Sequence, residues 1–358
     1  MKLLYIYDQL PSGYQQYMSE LLDELKKKVD VKTLSYYKND KADFTIKSYR
    51  IKDKIQRVAY KTKLSSEPSL DIKIMKDFDI IHFQHSYLFP KITPFLNSKN
   101  KLKIIITLRG GDTYIKPWVN PKWKDFYANQ STHIDAFITV SEHQKSYLQK
   151  WGIPKNKIHV IPVSFGKKAN AKPKFPSEDK IKIVSAHRMC WEKNIESNLR
   201  VIKILKEKGQ SVQYDVYGDG PDKGQLLYLI DKYNLNDVVN YLGKVENKVF
   251  KNRLHDYDFF LQLSHSEAFG ASVIEAQSMG VPAIISNAGG LPETILENKS
   301  GYCVDSWDVE RAVNCIVELY SEKEKYFQFS KKAIENSNSK FTTQEEVNSL
   351  LKLYNRLT

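Results

Sequence analysis

HSEAFGASVIEAQSMGVPAIISNAGG, residues 265–290, is the stretch whose reading decides the fold. Just before it, DFFLQLS at 258–264 is a short apolar run of the length of a buried strand. Glu267 then stands in what reads as a loop, followed by Gly270 and a good helix-forming tract over 271–279 that contains Glu275. Gly280 after the last periodic residue and Pro282 two positions on stop that helix. A second apolar run, PAIISN at 282–287, leads to Gly289-Gly290. The unit is strand, loop, helix, strand, and in such units ligands bind where strand ends meet helix N-termini. A helix N-terminus offers unpaired N–H groups and partial positive charge, which suits a phosphate. Glu275 falls about one turn inside the helix, at a rise of about 1.5 Å per residue. Read plainly, the pair is a loop glutamate and a solvated helix carboxylate. Read as a site, it is one carboxylate on either side of an anion, each placed to hold hydroxyls.

The spacing favours the site. E-x7-E (Glu267, Glu275) with Phe269-Gly270 between, continued by E-A-x3-G-x-P-x-I-x4-G-G-x-P-E over 275–293, closely resembles the donor-site signature of retaining glycosyltransferases of the GT-B architecture, glycosyltransferase family 4. The resemblance implies an α/β fold of GT-B architecture, two Rossmann-like doubly wound domains facing across a cleft. It implies that Glu275 binds the ribose hydroxyls of a nucleotide sugar. Glu267 would contact hydroxyls of the transferred sugar and stabilise positive charge at its anomeric carbon. Phe269, Gly270, Ala271, Ser272 and Val273 would present backbone N–H groups to sugar and phosphate.

At 358 residues the chain exceeds a usual single core, so two domains are expected. Hydrophobic content of 41% and charged content of 27% are those of a soluble globular protein. No run approaches the roughly 20 apolar residues that cross a bilayer, and the N-terminus MKLLYIYDQLPSGY reads as a strand feeding a loop rather than a signal peptide. Cys190, Cys303 and Cys315 have no metal-ligand spacing; a reducing cytoplasm with all three as small buried side chains fits. The net charge of +13 is uneven: residues 1–165 hold 28 Lys/Arg against 16 Asp/Glu, and 166–358 hold 27 against 26. A basic excess confined to one half implies an anionic partner there.

Along the chain, KLLYIYD opens an α/β domain, with an amphipathic helix expected over about 14–28. Gly13 is the only glycine of the first loop, where the related family places a donor-binding glycine. KSYRIKDKIQRVAYKTK at 47–63 holds seven basic residues and one acidic, with Ile51, Ile55 and Val58 at helical spacing. It reads equally as a basic helix lying on an anionic lipid surface or as a domain helix with a solvated charged face. The family's frequent action at the cytoplasmic membrane favours the first. Strands are expected at 80–83, 103–108, 136–140 and 159–163, alternating with helical text, which argues a parallel sheet. The basic, Pro-containing tract after Phe165 reads as a linker. The expected division is an N-terminal acceptor domain over 1–165, a linker over 166–180, a nucleotide-sugar domain over 181–340, and a terminal helix over 341–358 that the architecture crosses back to the first domain. In the second domain, strands at 182–187, 212–218 and 239–243 alternate with helices near 195–208, 223–233 and from 248.

Arg188 ends a strand and Lys193 follows five residues later. Arg makes bidentate phosphate contacts and Lys supplies a point charge, and fixed cations stabilise a departing diphosphate. Alone, such a pair is a surface feature; here it matches the family's diphosphate clamp, with Asn194 where the family usually has Gly. The turn at 216–221 and the segment Leu242-Gly243-Lys244-Val245 resemble the family's nucleotide-side loops, Val245 lying where backbone meets the base. With Arg188, Lys193 and a helix terminus facing the phosphates and no D-x-D at a strand end, no metal and no cofactor are expected. On the acceptor side, Arg109-Gly110-Gly111-Asp112 follows a strand: Asp112 would orient an acceptor hydroxyl or the donor sugar and Arg109 an acceptor phosphate, or the two form a loop-fixing ion pair. His82 and His85 lack a third ligand and read as cleft lining or core.

The expectation is thus a cytoplasmic enzyme, peripheral at the inner face of the cell membrane. It would move a hexose with retention from a UDP-, GDP- or ADP-sugar to a glycan or polyprenyl-diphosphate-linked acceptor in capsule, O-antigen or similar polysaccharide synthesis. Catalytic residues would be Glu267, Asp112, Arg188 and Lys193. A sugar-nucleotide 2-epimerase shares the two-domain plan but needs acid/base residues at the sugar's C2. A non-catalytic partner subunit needs none of Arg188, Lys193, Glu267 and Glu275. Nucleic acid is not an expected partner, since no binding motif accompanies the basic half.

Overall fold

Parallel strands buried on both faces are built almost wholly from apolar side chains. Strand β1 (Lys2–Tyr7) follows that rule: from Leu3 to Tyr7 no residue is more than 1% exposed. The structure, a computed structural model, describes residues 1–11, 16–37, 39–47, 50–96 and 102–358. Gly13 and the first residues of the helix expected near 14–28 lie outside the described residues, as do Ser48 and Tyr49 of the basic tract.

The chain divides into two compact units. The first holds β1, Met18–Pro162 and Glu346–Thr358, and the second Val163–Glu345. In the first unit β1 is joined by β2 (Asp30–Ser35), β3 (Phe44–Thr45), β4 (Ile80–Phe83), β5 (Lys103–Thr107), β6 (Ala136–Thr139) and β7 (Ile158–Val160). All pair in parallel, in the order β3-β2-β1-β4-β5-β6-β7. The last strand stops short of the expected 159–163 because Pro162 has no N–H for the ladder.

The second unit has its own six strands: β8 (Ile181–Ala186), β9 (Val212–Tyr217), β10 (Val239–Gly243), β11 (Phe259–Gln262), β12 (Ala283–Ser286) and β13 (Gly301–Val304). Their order, β10-β9-β8-β11-β12-β13, is that of a doubly wound nucleotide-binding sheet. The direction of winding reverses between β8 and β11, so the carboxyl ends of those two strands flank the ligand-binding position of such sheets. The core is continuous across the layers: Ile183, Val216, Leu261 and Ile284 from the strands pack with Leu199 and Ile202 of helix Ile195–Glu207 and Ile316 of helix Val309–Ser321.

The tract 166–180 has no helix or strand of its own, yet it is bonded along the second unit. Lys174 Nζ donates to the carbonyl of His255 at 2.7 Å and to that of Tyr257. Lys174 N donates to Ser330 Oγ at 3.1 Å, and Ser177 N to the buried Asp258 Oδ1 at 2.8 Å. At the other end of the chain, helix Thr343–Leu357 carries Tyr354 into the first unit. The Tyr354 hydroxyl lies 2.6 Å from the Tyr5 hydroxyl and 2.7 Å from His82 Nδ1, while His82 Nε2 lies 2.7 Å from Thr107 Oγ1. His82 is therefore a core residue. Burial, with the nearby Arg109 guanidinium, lowers it to about 3, so the ring is neutral and offers one donor and one acceptor. Of the cysteines, Cys190 and Cys315 are buried as expected, but Cys303 is only partly covered.

Candidate active site

Helix Ala271–Ser278 follows β11 through the loop that holds Glu267, so the strand, loop and helix read from 258–279 are in place. Glu275, one turn into the helix, is 5% exposed and sits on the wall of a cavity of about 580 Å³. Arg188, Gly218, Val245, Asn247 and Ser272 line the same cavity. These residues come from the loops after β8, β9 and β10 and from the starts of the helices that follow β10 and β11, the carboxyl-end segments that surround the switch point.

Two side chains of helix Asn247–Leu254 hold Glu275. Asn247 Nδ2 donates to Glu275 Oε1 at 2.8 Å, and the Lys251 ammonium stands 3.7 Å from the same oxygen. Lys251 also donates to the Phe165 carbonyl. Asn247 Oδ1 is buried with no partner among the described residues. No motif pointed to Asn247 or Lys251; their only signal is an i, i+4 spacing on one helix.

Glu267 is held as closely. Lys193 Nζ donates to its Oε2 in an ion pair whose members are 15% and 17% exposed. Gln262 Nε2 donates to the same oxygen at 2.8 Å, and Ala268 N donates to Oε1 at 3.1 Å. Gln262, at the end of β11, is a further residue that the sequence did not mark. The loop backbone is fixed from the other side: Gly290 N donates to the Glu267 carbonyl at 2.9 Å, and Gly289 has φ +59. A Cβ at Gly289 would stand 1.9 Å from that carbonyl oxygen, so glycine at the first position of the Gly-Gly pair is a requirement of close approach. Phe269 and Val273 are buried: Phe269 packs edge-on against Phe341 with centroids 5.4 Å apart, and Val273 joins the core. Next to Lys193, burial first and the ammonium second lower His187 to about 4, so it adds no positive charge near neutrality.

In the first unit, Asp112 is buried and engaged by its own loop. Its Oδ1 accepts from the backbone N–H of Arg109 at 3.1 Å and of Gly110 at 3.0 Å, and Oδ2 accepts from Ser86 Oγ at 3.2 Å. Burial raises its pKa, and these donors oppose the rise. No ion pair joins it to Arg109 among the described residues. The Arg109 guanidinium turns instead to Gln84, Nη2 donating to Oε1 at 3.1 Å. Arg109 Nε and Gln84 Nε2 are both buried with no acceptor among the described residues. His85 nearby is held down to about 3 by burial and then by Arg109, and is neutral. Among the described residues no group of three or more His, Cys, Asp or Glu stands together as metal ligands would.

Residues 167–336 match the family model of glycosyl transferases group 1, and residues 11–163 that of glycosyltransferase family 4. The chain is 29% identical over 181 residues to a putative colanic acid biosynthesis glycosyltransferase, WcaL, of Escherichia coli K12, covering 49% of this chain and 45% of that protein. It is 28% identical to a 41.2 kDa protein of the cps region of Klebsiella pneumoniae, covering 81% and 84%. The chain spans less than half the length of several curated relatives it matches. In fold it resembles Anabaena Alr3699/HepE, solved with UDP and glucose, at a TM-score of 0.76 and 13% identity over 99% of both chains. Two parallel-sheet units, a donor-type motif on the second and a matching family model on each place this chain among the GT-B glycosyltransferases of family 4.

Proposed function

We propose that the protein transfers a hexosyl unit, with retention and without a metal, from a nucleoside-diphosphate sugar to a lipid-linked glycan during surface polysaccharide synthesis. One observation carries the donor half: a cavity at the switch point of the second sheet that has Arg188 on one wall and the buried, oriented Glu275 on another. Glu275 accepts from the ribose hydroxyls, and Asn247 Oδ1 accepts from a further donor of the nucleoside. Arg188 grips the diphosphate, and the backbone N–H groups at the start of helix Ala271–Ser278, Phe269 to Val273, face it. Val245 meets the base through its backbone. Glu267 lies against the sugar hydroxyls and the anomeric carbon, where positive charge develops, and Lys193 shares its proton donors between Glu267 and the leaving phosphate. As the glycosidic C–O bond breaks, its electron pair goes to the phosphate, and fixed cations stabilise that charge. The acceptor hydroxyl attacks the same face and gives its proton to the departing phosphate oxygen.

On the acceptor side, the unpaired Nε of Arg109 supports the binding of an acceptor phosphate, as in a polyprenyl diphosphate. Asp112, its oxygens taken by the loop, acts as a positioning residue that fixes Arg109. Such acceptors reside at an anionic membrane surface on the cytoplasmic side. HepE was solved with UDP and glucose, and WcaL is named for colanic acid synthesis; both names favour this reading.

The test is titration calorimetry with UDP-, GDP- and ADP-sugars, followed by transfer assays in EDTA with the anomeric configuration of the product read by NMR. Binding of one donor, abolished by Glu275→Ala, is expected. Donor binding that survives Glu275→Ala, activity lost in EDTA, or an inverted product would each overturn the matching part.

A further inference from the structure

A domain helix normally turns its apolar stripe inward. Helix Arg50–Lys61 does the opposite. Ile51, Ile55 and Val58, at i, i+4 and i+7, form one stripe, and they are 76%, 63% and 60% exposed. Thr62 continues that stripe, and Leu64 just beyond it is 84% exposed. The side turned to the domain is polar: Gln56, 8% exposed, donates to Ser65 Oγ and to the Glu67 carbonyl, each at 2.7 Å. Asp53 Oδ1 accepts from Leu70 N at 3.0 Å, and its Oδ2 pairs with Arg57 Nε at 2.7 Å.

A third stripe is cationic. Arg50, Lys54, Arg57 and Lys61 stand at i, i+4, i+7 and i+11, displaced from the apolar stripe by one residue, or about 100° around the axis. The helix thus shows solvent an apolar band beside a basic band, and its one carboxylate is engaged by Leu70 and Arg57.

Among the described residues no helix is long and apolar enough to cross a membrane. We infer that helix Arg50–Lys61 docks in the plane of an anionic phospholipid surface, Ile51, Ile55, Val58 and Leu64 entering the acyl boundary and the basic band meeting the headgroups. Charge chooses the occupant. A second copy would bring two basic bands together, in a half of the chain with 28 Lys/Arg against 16 Asp/Glu. A nucleic acid would leave the apolar band uncovered. Apolar insertion and headgroup attraction act together on a bilayer. The inference extends the proposed reading, whose lipid-linked acceptor lies in that surface, but its test is separate.

The experiment is flotation of the whole chain with phosphatidylcholine vesicles, with and without phosphatidylglycerol, beside donor binding by calorimetry and size-exclusion chromatography. The wild type should float with the anionic vesicles and come off as salt is raised. Ile51→Ser/Ile55→Ser/Val58→Ser should lower the vesicle partition coefficient roughly tenfold or more. Lys54→Glu/Lys61→Glu should lower it by at least about fivefold for each lysine. Both variants change exposed side chains and should bind donor as the wild type does. Flotation of the serine variant equal to wild type overturns the inference, as does a wild type that binds donor but stays off anionic vesicles. A serine variant that only changes from dimer to monomer overturns it in favour of a contact between copies. Flotation without donor binding would leave this inference standing and remove the proposed function.

Discussion

Lys193 and Glu267, the cation and the carboxylate expected to act on opposite charges of the same reaction, are bonded to each other. The pair is mostly buried, so each partner holds the other's charge in place at the end of β11. When a diphosphate arrives, the ammonium can turn one of its three N–H groups to it while still donating to Glu267.

Lys193→Ala should therefore lower kcat by roughly 10²–10³-fold, the usual cost of one lost charge-stabilising donor. Donor KM should change far less, and Glu267→Gln should give a loss of similar size. In a double-mutant cycle on kcat the two losses should fall well short of adding. Full additivity would mean that the pair does not act as a unit.

Asn247→Ala and Lys251→Met should act through Glu275. Losing the Asn247 hydrogen bond to a buried carboxylate costs about 1–3 kcal/mol, which would appear as roughly a five- to hundredfold rise in donor KM with kcat little changed; losing the Lys251 ion pair, at 3.7 Å, should raise KM in the same direction. Asn247→Gln should not restore affinity, since its longer chain misplaces the amide. Calorimetry with the nucleoside diphosphate alone should show the same losses.

Gly289→Ala should disable the enzyme more than it destabilises it. Its Cβ would press on the Glu267 carbonyl at 1.9 Å, so the loop must move and take Glu267 with it. A displacement of about 1 Å at a catalytic group costs on the order of 10²-fold in rate, while the Tm should drop by only a few degrees. Single-turnover rates beside a melting curve would separate the two effects.

Stability should fall as pH is lowered from about 6.5. His82 is held near 3 in the folded chain, whereas it titrates near 6.5 when unfolded. Between those values the unfolded chain carries the extra proton, so acid favours unfolding, and above pH 6.5 this contribution is constant. The effect should reach on the order of a few kcal/mol toward the acid end. His187, held near 4, adds to it in the same direction. Urea midpoints at pH 7.5 and pH 5 should differ less for His82→Gln than for wild type.

The sequence displayed what is made of one repeated cue and hid what depends on contact between distant residues. The buried strands β4 (IIHF), β5 (KIIIT) and β6 (AFIT) are short, mainly apolar runs and could be placed within a residue or two. By contrast, β2 (DVKTLS) mixes polar with apolar residues, and β3 has only two residues, too few for any period. Glu267 and Glu275 stood out because a local motif holds both. Asn247 lies 28 positions from Glu275, and nothing local announces the bond between them. Asp112 could be read as a group for an acceptor or as half of an ion pair with Arg109, because its segment follows a strand; in the structure the turn folds its own N–H groups onto the carboxylate. The stripe Ile51, Ile55, Val58 was visible, but spacing alone does not tell the inward side of a helix from the outward one.

Tyr354 joins Tyr5 and His82 in a network whose members are 349 and 272 positions apart. A ribosome makes β1 long before it makes Tyr354. Throughout synthesis the first sheet must therefore wait, with two buried polar groups lacking their partner, until the second unit has been made. The first unit needs a segment that follows the second in sequence, so its early folding is provisional. Its slowest step should be the docking of thirteen residues, Glu346–Thr358, rather than the pairing of its own strands.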